Sequence, residues 1–219
     1  RGMSHIKTTA NGYVLEIKVD RPEKRNALSP QMYADLCLAL GELDRHADLR
    51  VGLIHAAGPH FSAGIELDQW APLMAAGEAF RVPEGGLDLF ALSGPRCRKP
   101  LVIAVQGYAY TWVVELLLTT EARVAADDTR FGMLEVRRGI YPMGGATLRL
   151  PQQMGWANAQ RYLLTGETWS AAEAYRTGLV QAVVPPGHYM VFIVNQAGES
   201  LAPSVSAPLL ITGADLSCS

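Results

Sequence analysis

LVIAVQGYAYTWVVELLLTTEARVAADDTRFGMLEVRRGIYPMGGATLRL, residues 101–150, holds a strand, a helix-like run and two glutamates in apolar company. Leu101–Val105 is a short, β-branched apolar run followed by the turn pair Gln106-Gly107, which reads as a buried strand. The helix-like run after it contains Glu115 inside VVELLL (113–118). A carboxylate there costs several kcal/mol unless it is paired, hydrogen-bonded, protonated or facing a pocket. Glu135 recurs in FGMLEV (131–136), again among apolar neighbours. Two such carboxyls near a strand-to-helix junction point to general acid/base work on a bound small molecule. The plainer alternative is that each turns outward or pairs with Arg123, Arg130, Arg137 or Arg138.

Outward from this stretch, strands and helices alternate. Upstream, Tyr13–Val19 reads as a strand preceded by the turn pair Asn11-Gly12. A helix follows, capped by Ser29 with Pro30 at its first position and a core stripe of Met32, Leu36, Leu40 and Leu43. Val51–His55 reads as the next strand, the small-residue loop 56–64 follows, and a helix starts between Ile65 and Asp68. Residues 77–99 read as a mobile surface segment with a short helix. Downstream, Ala122–Ala126 is a strand, and 139–145 a glycine-bearing turn. A helix opens at Ala146 that Pro151 is expected to interrupt. Residues 157–164 form another helix, stopped at Thr165-Gly166. Ser170–Glu173 fits a capping box, and 179–184 is a final strand. This alternation predicts an α/β fold with crossover connections.

The 219 residues carry 49% hydrophobic and 18% charged side chains, enough for one large domain with a substantial core. A net charge of −2 without a basic run speaks against nucleic acid and against an anionic membrane surface. Cys37, Cys97 and Cys218 are few and widely spaced, which suits a reducing, cytoplasmic setting rather than a disulfide framework. No secretory signal is read at the N-terminus, where Arg1-Gly2 ahead of Met3 looks like an expression remnant. The apolar run 190–194 is too short to span a bilayer. Dinucleotide, P-loop, zinc-protease and serine-hydrolase motifs are missing, and the five histidines show no ligand spacing, so no metal is expected. After Pro185-Pro186 the composition shifts toward Ser, Ala, Leu and Pro. The chain is therefore divided into a core, 1–185, and an atypical C-terminal segment, 186–219.

Four local motifs, in order, resemble those of the enoyl-CoA hydratase/isomerase (crotonase) superfamily: RPEKRNAL (21–28), FSAGIEL (61–67), QGYA (106–109) followed by Glu115-Leu116, and FGMLE (131–135) with Gly144-Gly145 and Leu148 beyond. The resemblance covers nearly all of residues 6–185. It implies a crotonase-like (ClpP/crotonase) spiral of ββα units, assembled as trimers or dimers of trimers and binding acyl-CoA thioesters. It also implies no cofactor beyond the coenzyme A carried by the substrate. Glu115 and Glu135 would hold the water that adds across an enoyl double bond. The backbone amides of Ile65 and Trp112 would form the oxyanion hole. Lys24, Arg25, Ala27, Ala63, Gly64, Ile65, Leu67 and Tyr108 would contact CoA or substrate. Read without the resemblance, Lys24 and Arg25 are an ordinary solvated turn, and Ala63-Gly64 a tight turn that needs small residues.

Two features depart from the family pattern. Thr111-Trp112-Val113 replaces a glycine triplet, and the bulk at Trp112 is expected to reshape the acyl pocket. The segment after Pro186 does not read as the amphipathic helices that usually follow. The leading reading is an enoyl-CoA hydratase. Its alternatives are an enoyl-CoA isomerase, which needs one carboxylate, an acyl-CoA thioester hydrolase, and a catalytically silent acyl-CoA binder.

Overall fold

The structure, a computed structural model, describes residues 4–186. The expectations placed on the segment after Pro186, on the 190–194 run, on Cys218 and on Arg1-Gly2 lie outside the described residues.

A hairpin opens the fold: β1 (Ile6–Asn11) pairs antiparallel with β2 (Val14–Val19). Gly12, at φ +56°, is the first residue of the two-residue loop, the place where a type II′ turn requires positive φ. Helix α1 (Pro30–Arg45) crosses to β3 (Val51–Ala56), which lies parallel to β2. Ser29 Oγ accepts from the Met32 amide at 3.2 Å, and the predicted stripe at 32, 36, 40 and 43 is buried. Next come α2 (Leu67–Ala75), β4 (Leu101–Val105), the short β5 (Tyr108–Tyr110) and α3 (Trp112–Leu117). Strand β6 (Ala122–Ala126) leads to β7 (Arg130–Gly132) and a 3-10 helix at Glu135–Arg138. The chain continues through α4 (Ala146–Met154), α5 (Trp156–Thr165), β8 (Thr168–Ser170), α6 (Ala171–Arg176) and β9 (Ala182–Val184).

Two sheets result. The larger has the order β1-β2-β3-β4-β6-β9, parallel from β2 onward, and the smaller runs β5-β7-β8. Ser62 extends the smaller sheet: its amide donates to Tyr108 O at 2.8 Å, and Tyr110 N donates back to Ser62 O at 3.2 Å. After β3, β4 and β6 in the large sheet, the chain in turn adds Ser62, β5 and β7 to the small sheet and then enters a helix. This is the expected spiral of ββα units, with α3 following directly on β5.

Four local expectations need correction. Residues 77–99 contain no helix, and Leu89 and Phe90 are buried in the core. Asp88 explains this order: its carboxylate accepts from the amides of Phe90, Leu92, Ser93 and Gly94, which folds the loop inward. Helix α4 runs through Pro151 to Met154. The Thr147 carbonyl, which Pro151 cannot serve, belongs to an exposed residue where water can bond it. Only half of the capping box forms. Ser170 Oγ accepts from Glu173 N, whereas the Glu173 carboxylate turns to Arg176 and Tyr162. The last strand is also shorter than read, because Leu179 N is drawn back to Ala174 O. Among the described residues no helix is long and apolar enough to cross a membrane.

Candidate active site

A cavity of about 320 Å³ opens where α3, the 61–65 loop and the 3-10 helix converge. Ala63, Gly64, Ile65, Leu67, Trp112, Glu115 and Glu135 all line it, so most of the predicted site residues come together. None of the four arginines weighed as partners forms an ion pair or hydrogen bond with either glutamate. Arg123 instead donates to Thr120 O, Leu179 O and Gln153.

The two carboxyls are held differently. Glu115 is 4% exposed, and its Oε1 accepts from Gly144 N at 2.7 Å and Ala146 N at 3.1 Å. Gly144 has to be glycine for this contact, since a Cβ there would lie 2.6 Å from Glu115 Oε2. Burial pushes Glu115 up to about 8, with the nearby Glu135 carboxyl adding to the rise and the two amides and Arg149 opposing it. Glu135 is 7% exposed, its Oε2 has no hydrogen-bond partner among the described residues, and burial raises it to about 7. Near neutral pH such a pair shares protons rather than carrying two charges.

The amides of Ile65 and Trp112 donate to no protein group among the described residues, and both residues face the cavity. Trp112 is the first residue of α3, where an N–H has no partner within the helix. Its side chain, whose bulk was expected to reshape the acyl pocket, is packed into the fold. The indole is 2% exposed and donates through Nε1 to Ser62 Oγ and Gly64 O, each at 2.9 Å. It therefore ties the helix bearing one free amide to the loop bearing the other. Backbone strain falls on the first position of the replaced glycine triplet. Thr111 has φ 55° and ψ −111°, and its Oγ1 is buried without a partner among the described residues.

The 21–28 loop sits behind this arrangement. Asn26 is fully buried at φ +52°. Its side chain accepts from Arg21 N and donates to Ala57 O and His60 O. Ala63 N donates to Arg25 O at 3.0 Å, and Arg21 pairs with Glu66 at 2.6 Å, so this loop sets the position of the 61–66 backbone. Lys24, Arg25, Ala27 and Tyr108 are not among the residues that line the cavity, and the Tyr108 ring stacks on His60 at 3.9 Å. Sequence reasoning missed Arg138, Ile140, Tyr141 and Met143 as lining residues, and missed Arg149, which donates to Phe90 O, Ala91 O and Gly144 O behind Glu115. The Gly144-Gly145 pair was the one available signal for that corner.

Comparison with known proteins identifies the family. The family described as enoyl-CoA hydratase/isomerase matches residues 9–206. Enoyl-CoA hydratase EchA19 of Mycobacterium tuberculosis is 36% identical over 203 residues, covering 91% of this chain and 74% of that protein. The "probable enoyl-CoA hydratase echA8" of Mycobacterium bovis is 37% identical over 171 residues, 77% of this chain and 64% of its own length. Among solved structures, that of a "probable enoyl-CoA hydratase/isomerase" from Mycobacterium abscessus superposes with a TM-score of 0.81 at 43% identity. It covers 84% of this chain and 71% of its own. The chain belongs to the enoyl-CoA hydratase/isomerase family.

Proposed function

We propose that this protein is an enoyl-CoA hydratase that adds water across the 2,3 double bond of an enoyl-CoA thioester. The observation that carries the reading is the pair of buried carboxyls, Glu115 and Glu135, in one cavity with two unbonded backbone amides. A water held between the glutamates loses a proton to one of them as its oxygen bonds to C3. The π electrons move toward the thioester oxygen, where the N–H groups of Ile65 and Trp112 receive the developing charge; one such donor is worth about 10²–10³ in rate. Collapse of the enolate takes a proton at C2 from the other carboxyl. The acid and the base act as one titrating pair. An isomerase would need a single carboxyl, so the retention of both favours hydration.

In the same reading, Lys24, Arg25 and Ala27 meet the CoA moiety beyond Ala63-Gly64, and no cofactor is needed besides that CoA. We propose further that the core within residues 1–185 carries the whole site, that 186–219 is an appendage, and that the protein works in the cytoplasm as a trimer or a dimer of trimers. The test is hydration of crotonyl-CoA, followed by loss of the enoyl-thioester absorbance. Glu115→Gln and Glu135→Gln should each lower kcat by about 10²–10⁴ while butyryl-CoA still binds. Acyl-CoA binding without turnover by the unaltered protein would overturn the hydratase reading.

A further inference from the structure

Arg138 is the cationic residue lining the cavity, and neither the two-glutamate chemistry nor the fold uses it. It closes the 3-10 helix that Glu135 opens. Residues three apart eclipse in such a helix and are separated by about 6 Å along its axis, so both side chains leave on the cavity side. Arg138 is exposed, and its guanidinium has no ion pair or hydrogen bond among the described residues. Arg149 and Arg123, by contrast, are each tied to backbone carbonyls. It does not serve as the counter-ion of Glu135, whose burial is offset by no cation. Besides Glu135, the cavity-lining residues nearest it in sequence are the apolar Leu134, Ile140 and Met143, with Tyr141 among them.

We propose that Arg138 recognises a carboxylate on the acyl group, and that the substrates of this enzyme are enoyl-CoA thioesters whose chains end in a carboxylate a few bonds beyond C3. The inference rests on the enoyl-CoA reading of the site. In that reading the thioester oxygen meets the amides of Ile65 and Trp112, and Lys24 and Arg25, which do not line the cavity, are left to the CoA phosphates. Arg138 lines the same cavity one 3-10 turn after Glu135, so a group carried on the acyl chain beyond the reacting carbons can meet it. A purely hydrocarbon chain would bring methylenes to a guanidinium and gain no hydrogen bond from it. A carboxylate can accept two parallel N–H bonds from it. The carboxylate also needs this partner, since it enters a cavity already holding two acidic groups, where an uncompensated third would be repelled.

The experiment compares glutaconyl-CoA with 2-hexenoyl-CoA, which is similar in length and uncharged at its end. The saturated pair glutaryl-CoA and hexanoyl-CoA is measured alongside by calorimetry. The unaltered protein should favour the carboxylate partner at least tenfold in both kcat/KM and affinity. In Arg138→Gln the ratio between partners should collapse by about 10- to 100-fold, the worth of a charge-assisted hydrogen bond. Equal handling of the two chain ends by the unaltered protein would overturn the proposal. So would an Arg138→Gln variant that weakens both acyl-CoAs and free CoA to the same degree, because the guanidinium would then be serving the CoA phosphates. The binding arm separates this proposal from the hydratase reading: a carboxylate preference in affinity without turnover sinks only the latter.

Discussion

A carboxyl group buried without a counter-ion keeps its proton well above its ordinary range, and here two such groups share a cavity. Hydration needs one of them ionised and the other protonated, so kcat/KM should trace a bell centred between about 7 and about 8. Its two limbs belong to the pair, and either Gln variant should abolish the bell. Stability follows the same titration. Both groups bind protons more tightly folded than unfolded, so their contribution is complete below the unfolded value near 4.5 and lost as pH rises through about 7 to 8. The melting temperature should therefore fall between pH 5 and pH 8.5, and fall less in the Glu115→Gln/Glu135→Gln double variant. Gly144→Ala is a test that leaves every titrating group in place. Its methyl would displace the Glu115 carboxyl, and a misplacement of about 1 Å costs on the order of 10²-fold in kcat. Both glutamates were legible in the sequence because charge inside an apolar run is conspicuous. Arg138 was read only as a possible partner for them, since its place on the cavity wall depends on a 3-10 turn that leaves no periodic signature.

At the scale of elements, the β5–α3 junction holds the tension of the site. Thr111 adopts a backbone conformation that a β-branched residue avoids, at a cost of order 1–3 kcal/mol, and buries a hydroxyl without a partner among the described residues. Trp112 offsets this by clamping Ser62 and Gly64 through one N–H. Trp112→Phe keeps the ring against Phe61 and removes only the donor. It should cost about 1–3 kcal/mol in chemical denaturation and lower kcat more than it raises KM. An unchanged kcat would mean that the clamp does not set the distance between the two amides. The strand at 101–105 was readable to the residue because buried parallel strands are continuous apolar runs, and 122–126 was read with the same bounds although Arg123 interrupts it. Residues 77–99 were misread because glycine, proline and charge usually mark surface loops, whereas here one carboxylate, Asp88, gathers four amides and turns the loop inward.

For the molecule as a whole, the succession of strands and helices and the four ordered motifs were enough to indicate the spiral. The smaller sheet was not visible beforehand, since its strands are three residues each and are recognisable only once paired. Helices α4 and α5 leave Leu148, Trp156 and Leu164 about 70% exposed on the outside of the core. If the proposed trimer uses this face, Trp156→Glu should shift the sedimenting species from a multiple of three chains to a single chain at micromolar concentration. An unaltered protein that sediments as a single chain would remove the trimer. The clamp on Glu115 has a consequence for the order of events during synthesis. The amides that hold this carboxyl come from residues 144 and 146, and Arg149 braces them one turn later. A growing chain that has already released both sheets' first strands and the oxyanion loop is still without a formed acid/base pair. Competence must wait until α4 clears the ribosome, so a nascent chain arrested before that point should bind acyl-CoA poorly and turn over none.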